Sequence, residues 1–191
     1  SLQKNGATRK SLMINLGGGM VTDLGGFAAS TFKRGMEYVN VPTTLLGAVD
    51  AAVGGKTGIN FGGLKNEIGV INSSKSVVIN ADFFRTLDAE NLRSGYAEMI
   101  KHGLISNTEI WKHILSFDLD NVDYNRLSEL LLESISVKEK VVEIDPTEKG
   151  LRKVLNFGHT VGHAFESYAM EMGKPDRKST RLNSSHLATS R

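Results

Sequence analysis

The chain has 191 residues, 40% of them hydrophobic and 23% charged, an ordinary soluble composition with enough apolar material for a sizeable core. It has no cysteine, which excludes disulfides, thiolate nucleophiles and cysteine-ligated metal and suits a reducing compartment such as the cytoplasm. No apolar run reaches spanning length and no signal-peptide core follows the N-terminus, so no membrane role is expected; a formal charge of +2 gives no case for nucleic acid.

Ser11 to Leu16 is a short apolar run that ends in three glycines, Gly17 to Gly19. It predicts a buried strand entering a glycine turn. Val21 to Phe32, rich in alanine and apolar residues, predicts a helix. Glu37 to Val41 predicts a second strand, stopped by Pro42. Thr43 or Thr44 can cap a helix running to Val53. Gly54 to Gly69 holds six glycines and is expected to be a loop, and Val77 to Ile79 a third strand. This strand–helix–strand rhythm predicts a Rossmann-like parallel α/β sheet.

Beyond Asp82 the period becomes helical. Asp88 to Phe117, Tyr124 to Ile144 and Val154 to Met172 are the expected helices, with Leu127, Leu130, Leu131, Ile135 and Val142 on one side of the second. The predicted organisation is an α/β portion over 1–81 and an all-helical portion over 82–175. Residues 176–191 form a third, foreign segment. Back-translated, Asp176 to His186 reproduces a common sequencing adapter in one frame, so this stretch is left out of fold reasoning. It holds four basic residues and one acid; without it the chain has 19 basic and 20 acidic residues, a net of −1. Only polar residues precede the first strand, so the start also reads as cut.

Four constellations could carry chemistry. Gly17-Gly18-Gly19 at a strand-to-helix turn lets backbone N–H groups approach a phosphate, with the helix N-terminus favouring the negative charge. Gly54-Gly55-Lys56-Thr57 resembles the end of a triphosphate-binding loop. That reading is rejected, because Asp50 stands where the motif needs glycine and no strand precedes it. Lys56 and Lys65, among glycines and beside Asn66, could fold two ammonium groups around an anion. His159 and His163 stand at i and i+4, a metal-ligand spacing on one helix face, with Glu98 as a candidate carboxylate partner. His102 and His113 lack such a setting and are expected to be structural or exposed. Glu98, Lys101 and His102 could equally be neighbours on a helix surface.

Taken in order, GGGMVTDLGGF, FKRG, VPTTLLGAVDAAVGGKTGIN, LKNEIG, RSGYAEMIKHG and DPTEKGLRKVLNFGHTVGHAFE resemble the 3-dehydroquinate synthase family from Ile14 to Met172. Several long motifs in register are far more specific than any one alone. The resemblance implies a Rossmann-like NAD domain, a helical domain and an active site between them. It implies NAD on Gly18, Gly19 and Asp23, near Thr43, Thr44, Thr86 and Leu87. It implies a divalent metal, zinc or cobalt, on Glu98, His159 and a further histidine beyond this chain. His163 becomes an active-site group rather than a ligand, which corrects the spacing argument.

Arg34, Asp50, Lys56, Lys65, Asn66, Lys101, Lys138, Arg152, Asn156 and His163 fall on the family's active-site positions, with Glu148 a weaker member. The implied substrate is 3-deoxy-arabino-heptulosonate 7-phosphate, whose carboxylate and phosphate suit a cleft rich in Lys and Arg. The implied chemistry is oxidation by NAD, loss of phosphate, return of the hydride, ring opening and aldol closure to 3-dehydroquinate. The implied full-length assembly is a homodimer. The nearest rival is another sugar-phosphate cyclase such as 2-deoxy-scyllo-inosose synthase; Lys138, Arg152 and Asn156 favour the first reading. The other rival is a non-catalytic nucleotide-binding fragment, and a chain cut at both ends is expected to turn over poorly.

Overall fold

The computed structural model describes residues 1–62 and 64–158, and of Leu64 and Lys65 the backbone alone. The α/β part is a parallel three-stranded sheet of β1 (Leu12–Gly17), β2 (Glu37–Pro42) and β5 (Ser76–Val77), in the order β1-β2-β5. Leu12 pairs with Glu37 and Gly17 with Pro42, so both strands end together beside the glycine turn. Proline closes β2, where its missing N–H spoils no further ladder.

Helix α1 (Gly19–Thr31) packs on one face through Thr22, Gly26 and Ala29, spaced at helical intervals. The close approach depends on glycine: a Cβ on Gly25 would lie 2.0 Å from Asn15 Oδ1, and one on Gly26 2.5 Å from Thr57 Cγ2. Asn15 donates to Asn40 Oδ1 at 2.9 Å, so the buried polar pair satisfies itself across the strands. On the other face of β1, Leu12, Ile14 and Leu16 are all exposed.

The expected loop over 54–69 is instead an antiparallel hairpin, β3 (Lys56–Phe61) and β4 (Leu64–Ile71). Ile59, Phe61, Ile68, Val70 and Ile71 supply the β-favouring side chains. The glycines serve close strand contact: Gly58 faces Gly69, and a Cβ on Gly69 would lie 2.3 Å from the Thr57 carbonyl oxygen. The helix expected up to Val53 is one turn that widens into a π-helical turn at Gly47–Ala51, with Thr44 Oγ1 accepting from Gly47 N at 3.0 Å. The third strand is shorter than expected.

The helical part comprises α2 (Ala89–Ile105), α3 (Thr108–Leu115) and α4 (Tyr124–Ile144). Asp88, Asn107 and Asp123 each accept backbone N–H bonds at the helix starts. The Asn107 cap splits the single helix expected over 88–117. Leu45, Val49, Phe84, Tyr96, Met99, Leu127, Leu130 and Leu131 form one core cluster, so the turn before Asp50 is packed by the helices. Where the helix from Val154 is expected, the described residues form a 3-10 turn, Leu151–Asn156, and Gly158 takes φ +84; residues 159–191, with the rest of that expected helix and the suspected foreign segment, lie outside the described residues. Among those described, no helix is long and apolar enough to cross a membrane.

Candidate active site

A cavity of about 720 Å³ opens between the hairpin, the π-helical turn, α4 and the segment 147–156. Asp23, Asp50, Lys56, Asn66, Lys138, Glu148, Arg152 and Asn156 line it, so eight of the residues singled out in the sequence converge on one space.

The π-helical turn aims both functional groups of Asp50 at α4. Lys138 Nζ donates to the Asp50 carbonyl oxygen at 2.5 Å and forms an ion pair with its carboxylate, with both side chains almost fully enclosed. Burial pulls the Lys138 ammonium below the usual lysine range, and Asp50 opposes that shift. Asp23 reaches the cavity from α1. Burial first, and then the Asp50 charge, push its carboxyl up to about 7, with Lys138 pulling the other way.

The far wall is a second network. Lys56 pairs with Glu148, whose other oxygen accepts from Asn156 Nδ2 at 2.8 Å. Burial raises the Glu148 carboxyl, but the hydrogen bonds from Lys56 and Asn156 outweigh it and hold the group below the usual range. Asp145 shapes this turn by accepting from the backbone N–H groups of Lys149, Gly150 and Arg152. The Arg152 guanidinium donates to the carbonyls of Pro146 at 2.7 Å and Gly54 at 2.9 Å, which orients it before any ligand arrives. Gly54 needs its φ of +102, and a Cβ there would lie 2.7 Å from Arg152 Nη2. Asn156 Oδ1 is buried with no hydrogen-bond partner among the described residues. Among the described residues, the lining acids equal the lining cations: Asp23, Asp50, Glu67 and Glu148 against Lys56, Lys138, Arg152 and Lys153. Carboxylates hold two of the lysines in place, Glu148 pairing with Lys56 and Asp50 with Lys138.

Glu98 and Lys101 form a buried ion pair on α2 outside the cavity lining. They are not surface neighbours, as the sequence allowed. His102 is also fully buried, with Nδ1 2.8 Å from Ser134 Oγ, whereas His113 is exposed beside Glu133. Burial, with Lys138 and Lys101 nearby, lowers the His102 imidazole to about 3. The unfolded ring titrates near 6.5, so this group's contribution to stability is lost as pH falls from about 6.5 towards 3. Asp23 has the opposite sign: its contribution is full below 3.8 and is lost as pH rises through about 7. NMR of the His102 ring nitrogens should show a neutral imidazole throughout pH 8 to 5. A midpoint above pH 6 would show that the ring is not sequestered.

At the glycine turn, Gly18 caps α1 in extended conformation without a side-chain cap bond. Thr43 N donates to Gly17 O at 2.9 Å. A Cβ on Gly18 would lie 3.1 Å from Thr44 Cγ2, and one on Gly19 3.0 Å from Ala51 Cβ, so any larger residue would press on its neighbours in the turn. A bare helix N-terminus ringed by Thr44 and Gly47 suits a dinucleotide phosphate. Thr86 donates weakly to Phe83 O and Leu87 packs on the core, both outside the cavity lining. Arg34, at φ +70 after Lys33 at φ +49, is exposed on a separate depression with Arg9 and Lys75. Lys65 contributes only its backbone to the described residues, and His159 and His163 lie outside them. Glu98 is therefore the one described member of the expected metal set, and no group of three candidate ligands converges among the described residues. Its enclosed carboxylate is a hard oxygen donor, the right chemistry for a divalent cation.

The family profile described as 3-dehydroquinate synthase N-terminal matches residues 1–94, and the profile described as 3-dehydroquinate synthase C-terminal matches residues 95–174. The chain belongs to the 3-dehydroquinate synthase family. The 3-dehydroquinate synthase of Parabacteroides distasonis is 58% identical over 175 residues, covering 92% of this chain and 50% of that protein. That of Clostridium tetani is 44% identical over 172 residues, covering 86% and 45%. The chain thus spans about half the length of these curated relatives. Among solved structures, 2-deoxy-scyllo-inosose synthase complexed with carbaglucose-6-phosphate, NAD+ and Co2+ aligns with a TM-score of 0.81 at 26% identity, covering 88% of this chain and 47% of that one. A 2-epi-5-epi-valiolone synthase from Streptomyces hygroscopicus with NAD+ and Zn2+ aligns at 0.79 and 29% identity, covering 95% and 51%. The α/β-then-α fold is that of the sugar-phosphate cyclases.

Nothing in the sequence pattern singled out His102 with Ser134, or the Asn15–Asn40 pair. Both are tertiary pairings, and only the fold brings their partners together.

Proposed function

We propose that a full-length protein carrying this sequence converts 3-deoxy-arabino-heptulosonate 7-phosphate into 3-dehydroquinate and phosphate, as a cytoplasmic homodimer. The observation that carries this reading is the convergence of Asp50–Lys138, Lys56–Glu148, Arg152 and Asn156 on one cavity in a chain matched by both family profiles. Residues 1–81 supply the NAD side and 82–175 the metal and substrate side. Gly18, Gly19, Asp23, Thr43 and Thr44 would hold NAD, with Thr86 and Leu87 as more distant candidates. Glu98 and His159 would hold zinc or cobalt. When bound, NAD takes and returns a hydride, and the metal polarises the reacting hydroxyl.

The chain's own groups do the rest. Arg152, fixed by the Gly54 and Pro146 carbonyls, presents a planar donor edge suited to the substrate carboxylate. Asn156 adds a buried carbonyl oxygen that has no hydrogen-bond partner among the described residues and can accept from a sugar hydroxyl. Lys56, partly exposed beside Glu148, is a phosphate group's natural counter-charge. Asn66 lines the same cavity, and the family resemblance would add Lys101, Lys65, His163 and Arg34 to the cage.

The test is phosphate release by the full-length protein supplied with NAD and zinc. The heptulosonate phosphate should be turned over and a hexose 6-phosphate should not; the reverse preference would identify a 2-deoxy-scyllo-inosose synthase. Arg152→Lys keeps the charge and loses the fork, so kcat/KM should fall on the order of a hundredfold.

A further inference from the structure

We infer that His102, through its hydrogen bond to Ser134, is a positioning residue that fixes the two helices carrying Lys101 and Lys138. The inference rests on the proposed reading of this cleft as a cyclase site. His102 follows Lys101 on α2, and Ser134 stands one turn before Lys138 on α4. The Nδ1–Oγ contact is 2.8 Å, and both residues are fully buried. Each end of this bridge therefore sits within a turn of a site lysine.

The geometry makes the bridge specific. Nε2 has no hydrogen-bond partner among the described residues, so the Ser134 contact is the ring's one hydrogen bond among them. A buried orphan donor is rarer than a buried orphan acceptor, which favours the tautomer that donates from Nδ1 to Ser134 Oγ. The charges around the ring are Lys138, Lys101 and Asp50. Glu98 neutralises Lys101 and Asp50 neutralises Lys138, so the enclosure is balanced only while the imidazole is neutral. A neutral, polar, flat side chain meets all these demands. Leucine would fill similar volume but leave Ser134 unpaired, and a lysine or arginine would add a third cation.

The experiment uses the full-length protein with His102→Leu, Ser134→Ala, the double variant and His102→Asn, whose amide can reproduce the Nδ1 donor. Loss of one hydrogen bond and a small shift of two oriented lysines should lower kcat about tenfold in each disruptive single variant, with KM within about twofold. The double variant should be no slower than the slower single, because both remove one bridge. His102→Asn should recover to within about threefold of the unsubstituted kcat. Should His102→Leu fail to fold, Ser134→Ala and His102→Asn decide the matter. Unchanged kcat in Ser134→Ala, or additive losses in the double variant, would overturn the positioning role while the unsubstituted enzyme remains active. Absence of turnover in the unsubstituted protein would instead overturn the functional reading.

Discussion

Lys138→Met should destabilise the protein by about 3–5 kcal/mol and abolish turnover, because it leaves the Asp50 carboxylate buried beside a thioether. Both side chains of this ion pair are less than 5% exposed, so water cannot replace the missing ammonium. The lysine also secures the Asp50 carbonyl, so the π-helical turn loses its anchor to α4. The double variant Asp50→Asn with Lys138→Met removes the stranded charge and should recover much of the stability but none of the activity. Urea unfolding with a parallel assay separates these effects. A single variant that unfolds at the same urea concentration as the parent would show that Asp50 does not depend on Lys138 for its compensation.

Gly95→Ala should be the most damaging small substitution in α2. An added Cβ would lie 2.5 Å from Leu46 N and 2.7 Å from Leu45 Cβ, and the first of these is backbone that cannot rotate away. Alanine in mid-helix gains about 1 kcal/mol in propensity. Forcing α2 off the Leu45–Leu46 segment costs roughly 1–3 kcal/mol or more, so the net change should be loss of stability. Activity should fall as well, since that segment leads directly into the turn bearing Asp50. Gly103→Ala, in the same helix, is the contrast: its Cβ would meet Ile114 Cδ1 and Trp111 Cε3 at 3.2 Å, side-chain atoms that can yield. Thermal unfolding should place Gly103→Ala near the parent and Gly95→Ala well below it. Equal melting temperatures would refute the close-contact argument.

Much of the fold was legible where a single period ran unbroken. α4 begins and ends where its leucine stripe predicts, and β1, α1 and β2 match their apolar runs within two residues. The hairpin was not legible, because six glycines between 54 and 69 read as backbone freedom, whereas Gly58 and Gly69 serve close strand crossing. The break between α2 and α3 was carried by one capping residue, Asn107, inside a continuous helical period. For the site, glycine turn chemistry was readable from residues alone. The cage of Asp50, Lys138, Arg152 and Asn156 was named only through family resemblance, since these residues lie up to about a hundred positions apart. Arg34 and Leu87 also come from the family pattern, and both lie outside the cavity lining. In the sequence His102 reads as structural or exposed, because no local pattern distinguishes a ring that bridges to Ser134, 32 residues away.

One assay separates a phosphate-eliminating cyclase from a dehydrogenase or a bare nucleotide cleft. Phosphate release from 3-deoxy-arabino-heptulosonate 7-phosphate is followed together with NADH absorbance, using the full-length protein, zinc and NAD far below substrate. A cyclase returns the hydride in every cycle, so phosphate and 3-dehydroquinate should appear in equal amounts, many per NAD, with no net NADH. NADH accumulating in step with substrate consumed, or NAD bound with no phosphate released, would contradict it.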